Sequence, residues 1–283
     1  VRIDLHAHSA VSDGTEPPAT LIARAAVGGI DVLALTDHDT VAGWTEATAA
    51  AVEHGVRLVP GIELSTEHAG ADVHLLAFWP DPAAPELAAT LAALVDARER
   101  RAEQIVARLA EHGVQLSTDD VRLGLPAGAP VGRPHVADAL VRRGYAADRR
   151  DAFDRWLGEG RPGHVRKEAP SLVDGIRMIR AAGGVPVVAH PWGRGSRAVL
   201  DAPTVVQLAA EGLAGLEVDH ADHDPQDRAA LRRLAAGAGL LVTGGSDDHG
   251  PGGKVGVALG DEGTDPDVFD ALAAQATGAT APR

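Results

Sequence analysis

Val1-Arg2-Ile3-Asp4-Leu5-His6-Ala7-His8 passes from a short alternating, strand-like segment directly into a pair of histidines two residues apart. The same event recurs along the chain. β-branched or Leu-rich segments near 2–6, 31–36, 57–63, 72–78, 185–190, 214–219 and 239–245 alternate with longer Ala-rich helical stretches. A weaker strand candidate lies near 255–259. This rhythm predicts repeated βα units around parallel strands, and seven or eight of them predict a closed, irregular barrel. No repeated sequence accompanies the alternation, which argues against a solenoid.

Most of these strands end in the same chemistry. The first gives His6-Ala7-His8, with Asp13 soon after; the second gives Thr36-Asp37-His38-Asp39 and the third Gly61-Ile62-Glu63. The fourth carries His74, and the fifth ends Ala189-His190-Pro191. The sixth gives Glu217-Val218-Asp219-His220 and the seventh Ser246-Asp247-Asp248-His249. In a parallel barrel the strand C-termini share one face, so these side chains are expected to converge. Buried imidazoles and carboxylates are costly unless they pair or coordinate a metal. His6 and His8 project the same way from a strand and can grip one ion. Each piece alone has a plainer reading. An H-x-H is weak evidence, Thr36 and Asp39 are ordinary helix caps, and Glu63 or His74 could be rim residues. Jointly, several independent strand ends point to metal binding.

Composition narrows the chemistry. With 283 residues and 45% hydrophobic content, the chain can bury a full-sized core, and 3% aromatics leave that core to Ala, Val, Leu and Ile. Having no cysteine, it has neither disulfides nor thiolate ligands, so a metal site here uses imidazole and carboxylate. The formal charge of −14 argues against a broad footprint for duplex DNA, though not against a nucleotide or a strand end in a local basic pocket. There is neither a membrane-length apolar run nor a secretory-type start, and a cytoplasmic protein is expected.

The rhythm breaks between about 85 and 165. Helical stretches at Leu87–Gly113, Ser117–Leu123, Arg133–Gly144 and Asp148–Gly158 replace strands there, and the pattern resumes after the helix Leu172–Ala182. This divides the chain into a barrel, 1–84 and 166–283, and a helical insertion, 85–165, expected to cover the barrel mouth. His54-Gly55 and His112-Gly113 read as helix ends, and His68 and His164 as structural.

The ordered series D-L-H-A-H-S, S-D-G-T, T-D-H-D-T, G-I-E, A-H-P and G-S-D-D-H closely resembles the polymerase and histidinol phosphatase (PHP) superfamily, from the first strand to His249. It is similar in particular to stand-alone bacterial phosphoesterases acting on 3′,5′-bisphosphonucleotides or RNA 5′ ends. The resemblance implies an α/β fold, a distorted (βα)7 TIM-like barrel with a helical insertion after the fourth strand. It also implies two or three divalent ions, Mn, Fe or Zn. His6, His8, Glu63 and Asp247 would hold one; Glu63 would bridge to a second with His74 and His190; Asp13, His38 and His249 would hold a third. Gly132-Arg133-Pro134-His135 is similar to a segment lining the phosphate site in these enzymes. The chain departs from the pattern at Asp219, where relatives often carry an aromatic, a difference that bears on the base contacts and not on the metals.

Arg133 suits a bidentate phosphate clamp, although Pro134 equally fits the first turn of a helix; His135 and Lys167 are further phosphate candidates. The expected reaction is in-line hydrolysis of a phosphate monoester by hydroxide that bound metal makes available near neutral pH. His220 or His223 is a candidate acid for the leaving oxygen. The favoured substrate is a nucleotide, with short RNA ends, histidinol phosphate and a small cyclic diester as alternatives. An amidohydrolase-type enzyme is a rival; against it, no Lys stands at a strand end where a bridging ligand is needed.

Overall fold

The computed structural model describes residues 1–125, 129–193, 195–253, 258–278 and 280. Seven strands form one sheet in sequence order: β1 (Ile3–Asp4), β2 (Val32–Leu35), β3 (Arg57–His68), β4 (Ala71–Phe78), β5 (Val185–Val188), β6 (Gly215–Asp219) and β7 (Leu241–Gly244). The seven strong strand expectations are met. The weaker candidate near 255–259 falls largely on residues outside those described. A parallel bridge between Ala7 and Asp248 joins the extensions of β1 and β7, with His8 N–H donating to Asp248 O at 2.8 Å. The barrel therefore closes through the metal-motif residues themselves.

The helices are α1 (Pro18–Val27), α2 (Trp44–His54), α3 (Pro85–Glu111), α4 (Thr118–Arg122), α5 (Arg133–Arg142), α6 (Arg149–Ala152), α7 (Leu172–Ala181), α8 (Ala202–Ala210), α9 (Pro225–Ala238) and α10 (Pro266–Ala273). Local signals set many of their ends. Ser171, Asp201, Asp224 and Asp265 cap α7 to α10 by accepting backbone N–H groups one turn on. Gly55 and Gly113 follow their helices with φ of +70° and +81°, and the His112 ring bonds the Arg108 carbonyl at 3.0 Å, as the helix-end reading expects.

Alternation along the strands sorts the core into two layers. Leu33, Leu35, Leu75 and Ala77 pack outward against the helices, while Val32, Ala34, Leu76 and Phe78 pack inward. Phe269 and Leu272 of α10 join that inner layer, where Trp79 meets Phe269 at 5.7 Å between ring centroids. The polar strand ends thus stand above an apolar plug.

One expectation is corrected. β4 runs antiparallel to both β3 and β5. β3 continues past Glu63 to His68, and Ala69-Gly70, with φ of +48° and +87°, turns the chain straight back. A two-residue loop can join only antiparallel strands, because a parallel return needs a crossover of a dozen residues or more. His74 consequently sits within a strand, opposite Ser65, and not at a strand C-terminus.

Helices α3 to α6 follow β4 and precede β5. The first half of α3 places Leu87, Leu91 and Leu94 in the outer core of the barrel. Its second half, with Ala102, Ile105 and Leu109, belongs to a separate apolar cluster with Val121, Val136, Leu140, Ala152 and Leu157. One continuous helix is therefore rooted in both bodies. No helix among the described residues is long and apolar enough to cross a membrane.

Candidate metal centre and active site

Three overlapping groups of buried His and carboxylate residues could each hold a cation. They are His6, His8, Glu63 and Asp247; His38, Glu63 and His74; and His8, Asp13, His38 and His249. All nine residues that the sequence singled out as ligands stand in or beside this cluster, since His190 Nε2 lies 3.1 Å from Glu63 Oε1. His38 is placed more centrally than the resemblance implied. Its Nδ1 is 3.2 Å from Glu63 Oε2 and its Nε2 is 3.7 Å from Asp13 Oδ2.

The first group meets a simple geometric test. A tetrahedral ion with bonds of ~2.1 Å needs ligand atoms about 3.4 Å apart. His6 Nε2 lies 3.1 Å from His8 Nε2, 3.3 Å from Glu63 Oε2 and 3.4 Å from Asp247 Oδ1. His8 Nε2 lies 3.1 Å from both carboxylate oxygens. Glu63 Oε2, His8 Nδ1 and His38 Nδ1 are buried without a hydrogen bond, which is costly unless a cation serves them. The donor set fits imidazole- and carboxylate-binding divalent ions.

Surrounding groups fix which nitrogen faces the centre. His6 Nδ1 donates to Glu217 Oε1 at 2.9 Å, and the other oxygen of Glu217 accepts the His190 backbone N–H at 2.9 Å. His249 Nδ1 donates to the Asp247 carbonyl at 2.8 Å, turning Nε2 toward Asp13 Oδ1 at 3.3 Å. Asp37 accepts from Ser9 N, Ser9 Oγ and Ser12 Oγ at 2.6–2.8 Å, pinning the loop that presents Asp13. It caps no helix, since α2 begins only at Trp44. Asp39, His190 and Asp247 hold φ of +56°, +29° and +53°, sparsely populated values for non-glycine residues that cluster at the same strand ends.

Electrostatics tie the group together. Burial opposes ionisation of Asp13, Glu63 and Asp247, yet neighbouring imidazoles hold all three well below the usual carboxylate range. Burial likewise opposes protonation of His8, but Asp247 and Glu63 push its pKa up to about 10. His38 is driven well below its ordinary value, by burial first.

Two adjoining cavities of about 600 and 420 Å³ open over this cluster and share His74, Arg101, Arg133 and Lys167. Arg98 and Arg149 line the smaller one beside Asp13, His38 and His249. Five cationic side chains thus crowd one mouth of a chain whose net charge is −14. Burial and crowding together lower the proton affinity of two of them. Burial and then Arg133 lower Arg101 to about 10, and burial and then Arg98 lower Lys167 to about 8. An anion seated among them would relieve both.

Of the proposed substrate contacts, Arg133 and Lys167 line both cavities, and Lys167 Nζ reaches His74 Nε2 at 3.3 Å. His135 uses Nδ1 to accept the Gly132 N–H at 2.9 Å, capping its own helix, and it lines neither cavity. His220 and His223 are both buried and line neither. His220 Nδ1 accepts the Asp222 N–H, so Nε2 carries the proton toward Asp247 Oδ2, 3.3 Å away. His223 is held between the Val218 carbonyl and the Trp192 N–H. The acid role expected of these two finds no support in such positions. Asp219 pairs with Arg228 and Arg232 of α9 and lies away from the cavities. His164, read as structural, lines the larger cavity.

Sequence reasoning missed Glu217 as an orienting group, although it stood inside a quoted strand-end motif. It also missed Arg98, Arg101 and Arg149. The first two were faintly legible as an i, i+3 pair on α3, but a run of alternating charges there reads as a solvated face.

Comparison with known proteins gives the family. Residues 4–117 match the PHP domain family model. The chain is 36% identical over 250 residues to a 3′,5′-nucleoside bisphosphate phosphatase of Chromobacterium violaceum, covering 88% of each chain. It is 35% identical over 254 residues to a 5′-3′ exoribonuclease of Haemophilus influenzae, covering 90% of this chain and 92% of that one. A solved structure from Bifidobacterium adolescentis, described by inference as a metal-dependent phosphoesterase, superposes with a TM-score of 0.92 at 37% identity. It covers 98% of this chain and 96% of its own. The chain belongs to the PHP family of metal-dependent phosphoesterases.

Proposed function

We propose that the protein hydrolyses a phosphate monoester of a nucleotide, with a 3′,5′-bisphosphonucleotide as the favoured substrate and the 5′ end of a short RNA as a related one. The observation that carries this reading is the meeting of the His/carboxylate cluster with a mouth lined by five cations. His6, His8, Glu63 and Asp247 would hold one divalent ion; Glu63, His74 and His190 a second; Asp13, His38 and His249 a third. Bound there, Mn, Fe or Zn would supply a water of lowered pKa and neutralise charge on the phosphoryl oxygens.

The remaining work falls to the protein. Arg133 presents a planar fork to phosphate, and Arg98, Arg101, Arg149 and Lys167 concentrate the anion above the cluster. The relatives named as a nucleoside bisphosphate phosphatase and an exoribonuclease support a nucleotide over other monoesters. We read the helices from 85 to 165 as a cap on the barrel mouth, because they contribute Arg98, Arg101, Arg133 and Arg149 to the cavity walls. A cytoplasmic enzyme, with no duplex DNA or membrane partner, completes this reading.

The test is phosphate release by metal-stripped protein with Mn²⁺ restored, from 3′,5′-bisphosphoadenosine, AMP, histidinol phosphate, a 5′-phosphorylated RNA and an aryl phosphate. Metal-dependent release, lost in His8→Ala, is expected. Nucleotide turnover no faster than that of the aryl phosphate would remove the nucleotide preference. No release from any compound by metal-loaded protein would overturn the whole reading.

A further inference from the structure

The smaller cavity contains one surface that phosphate chemistry does not require. Apart from Pro134 and Gly253, its wall is made of charged residues and histidines, except at Phe153. The chain has three Phe, one Tyr and four Trp. Phe78, Phe269 and Trp79 are buried in the inner core, and Trp44 is buried against the Gly61 carbonyl. Trp156 bonds the Tyr145 carbonyl, and Trp192 the Leu200 carbonyl. Among the described residues, Phe153 is the only Phe, Tyr or Trp lining either cavity.

Its backbone setting is also unusual. Phe153 opens a single π-helical turn, Phe153–Leu157, continuing directly from α6, whose first residue, Arg149, lines the same cavity. Wide turns of this kind are rare and occur frequently at functional positions. Ala152 and Leu157, on either side, do reach the insertion's apolar cluster, while Phe153 is only partly buried against it. The Arg133 guanidinium carbon lies over the Phe153 ring, 5.7 Å from its centroid, so the two side chains form one continuous wall of the cavity.

We infer that Phe153 is the stacking surface for the nucleobase of the substrate, with Arg133 holding the adjacent phosphate. An aromatic face accepts any base and contributes through stacking, so it would favour nucleotides over base-free sugar phosphates without selecting one base sharply. This inference rests on the nucleotide reading above and assigns it a residue.

The experiment compares 3′,5′-bisphosphoadenosine, AMP and ribose 5-phosphate as substrates of the metal-loaded enzyme, in wild type, Phe153→Ala and Phe153→Trp. Equilibrium binding of AMP and of inorganic phosphate is measured alongside. Phe153→Ala is expected to raise KM for both nucleotides on the order of tenfold. It should leave kcat within about twofold, weaken AMP binding in parallel, and leave ribose 5-phosphate and inorganic phosphate unchanged. Phe153→Trp should restore the nucleotide KM. Equal losses on all substrates would show a merely structural role and overturn the inference. If wild type favours nucleotides and Phe153→Ala preserves that preference, the inference fails and the nucleotide reading stands. If wild type handles ribose 5-phosphate as well as the nucleotides, both fail.

Discussion

Glu217 Oε1 lies 2.9 Å from His6 Nδ1, and the opposite oxygen of the same carboxylate holds the backbone N–H of His190. One buried side chain on β6 therefore orients ligand candidates from two other strands. Because His6 must donate through Nδ1, its Nε2 is left with a lone pair facing Glu63, His8 and Asp247. Glu217→Gln keeps the shape but offers an amide where a carboxylate polarised the imidazole. Metal affinity should fall about 10- to 100-fold, measured by competition with a chelator. Unchanged affinity would mean that Glu217 serves the fold and not the ion.

Gly245, which is not itself a ligand candidate, makes a second prediction because it packs against His6. A Cβ at this position would sit 2.7 Å from the His6 backbone N and 3.0 Å from Glu217 Oε1. Gly245→Ala should displace His6 and lower metal content at the end of purification, while circular dichroism stays near wild type. Full metal occupancy in this variant would show that the strand end can yield.

Arg98 reaches from α3 to Asp39 on the barrel, its Nε donating at 2.7 Å, and Ser65 donates to the same carboxylate. Burial would raise Asp39, but Arg98 and then Lys167 hold it down to about 2, so the carboxylate stays charged. Arg98→Ala leaves that charge buried without its guanidinium. The expected cost is about 3–5 kcal/mol in urea unfolding, since breaking a buried pair exposes the full desolvation penalty. A loss below about 1 kcal/mol would show that Lys167 and water compensate.

Arg133→Ala should reduce kcat/KM for nucleotides on the order of a hundredfold, a magnitude typical of losing one positioned donor to developing oxyanion charge. Arg133→Lys should recover only part of this, because an ammonium cannot form the planar two-point contact. Equal activity of the Ala and Lys variants would assign the effect to packing against Phe153.

The Ser117–Asp120 capping box on α4 gives a pH dependence. Arg143, followed by the Ser117 N–H and hydroxyl, lowers Asp120 from 3.8 to about 2. A carboxylate depressed on folding contributes stability that is complete above its unfolded value and is lost as pH falls through its folded value. Asp120→Asn should therefore destabilise the insertion near pH 6, and its difference from wild type should shrink between pH 4 and pH 2. Amide hydrogen exchange across α4 measures both; a gap independent of pH would exclude the charged cap as its origin.

Seven strands and the four helical stretches that follow β4 were legible in the sequence, as were nine candidate ligands, which the structure brings together around Glu63. These were legible because each is a local matter. A short apolar run ending in His or Asp specifies both a strand and what stands at its mouth, and caps such as Ser171 announce helix starts. The tertiary structure alone decided the direction of β4, which two positive-φ residues reverse in a way that alternation cannot encode. It decided that Arg98 and Arg101, ordinary charges on a long helix, face the cavity, and that His220 and His223 lie behind the ligands. Periodicity fixes the face on which a side chain projects. What that face meets depends on how distant elements pack, and burial, charge and reactivity are consequences of that packing.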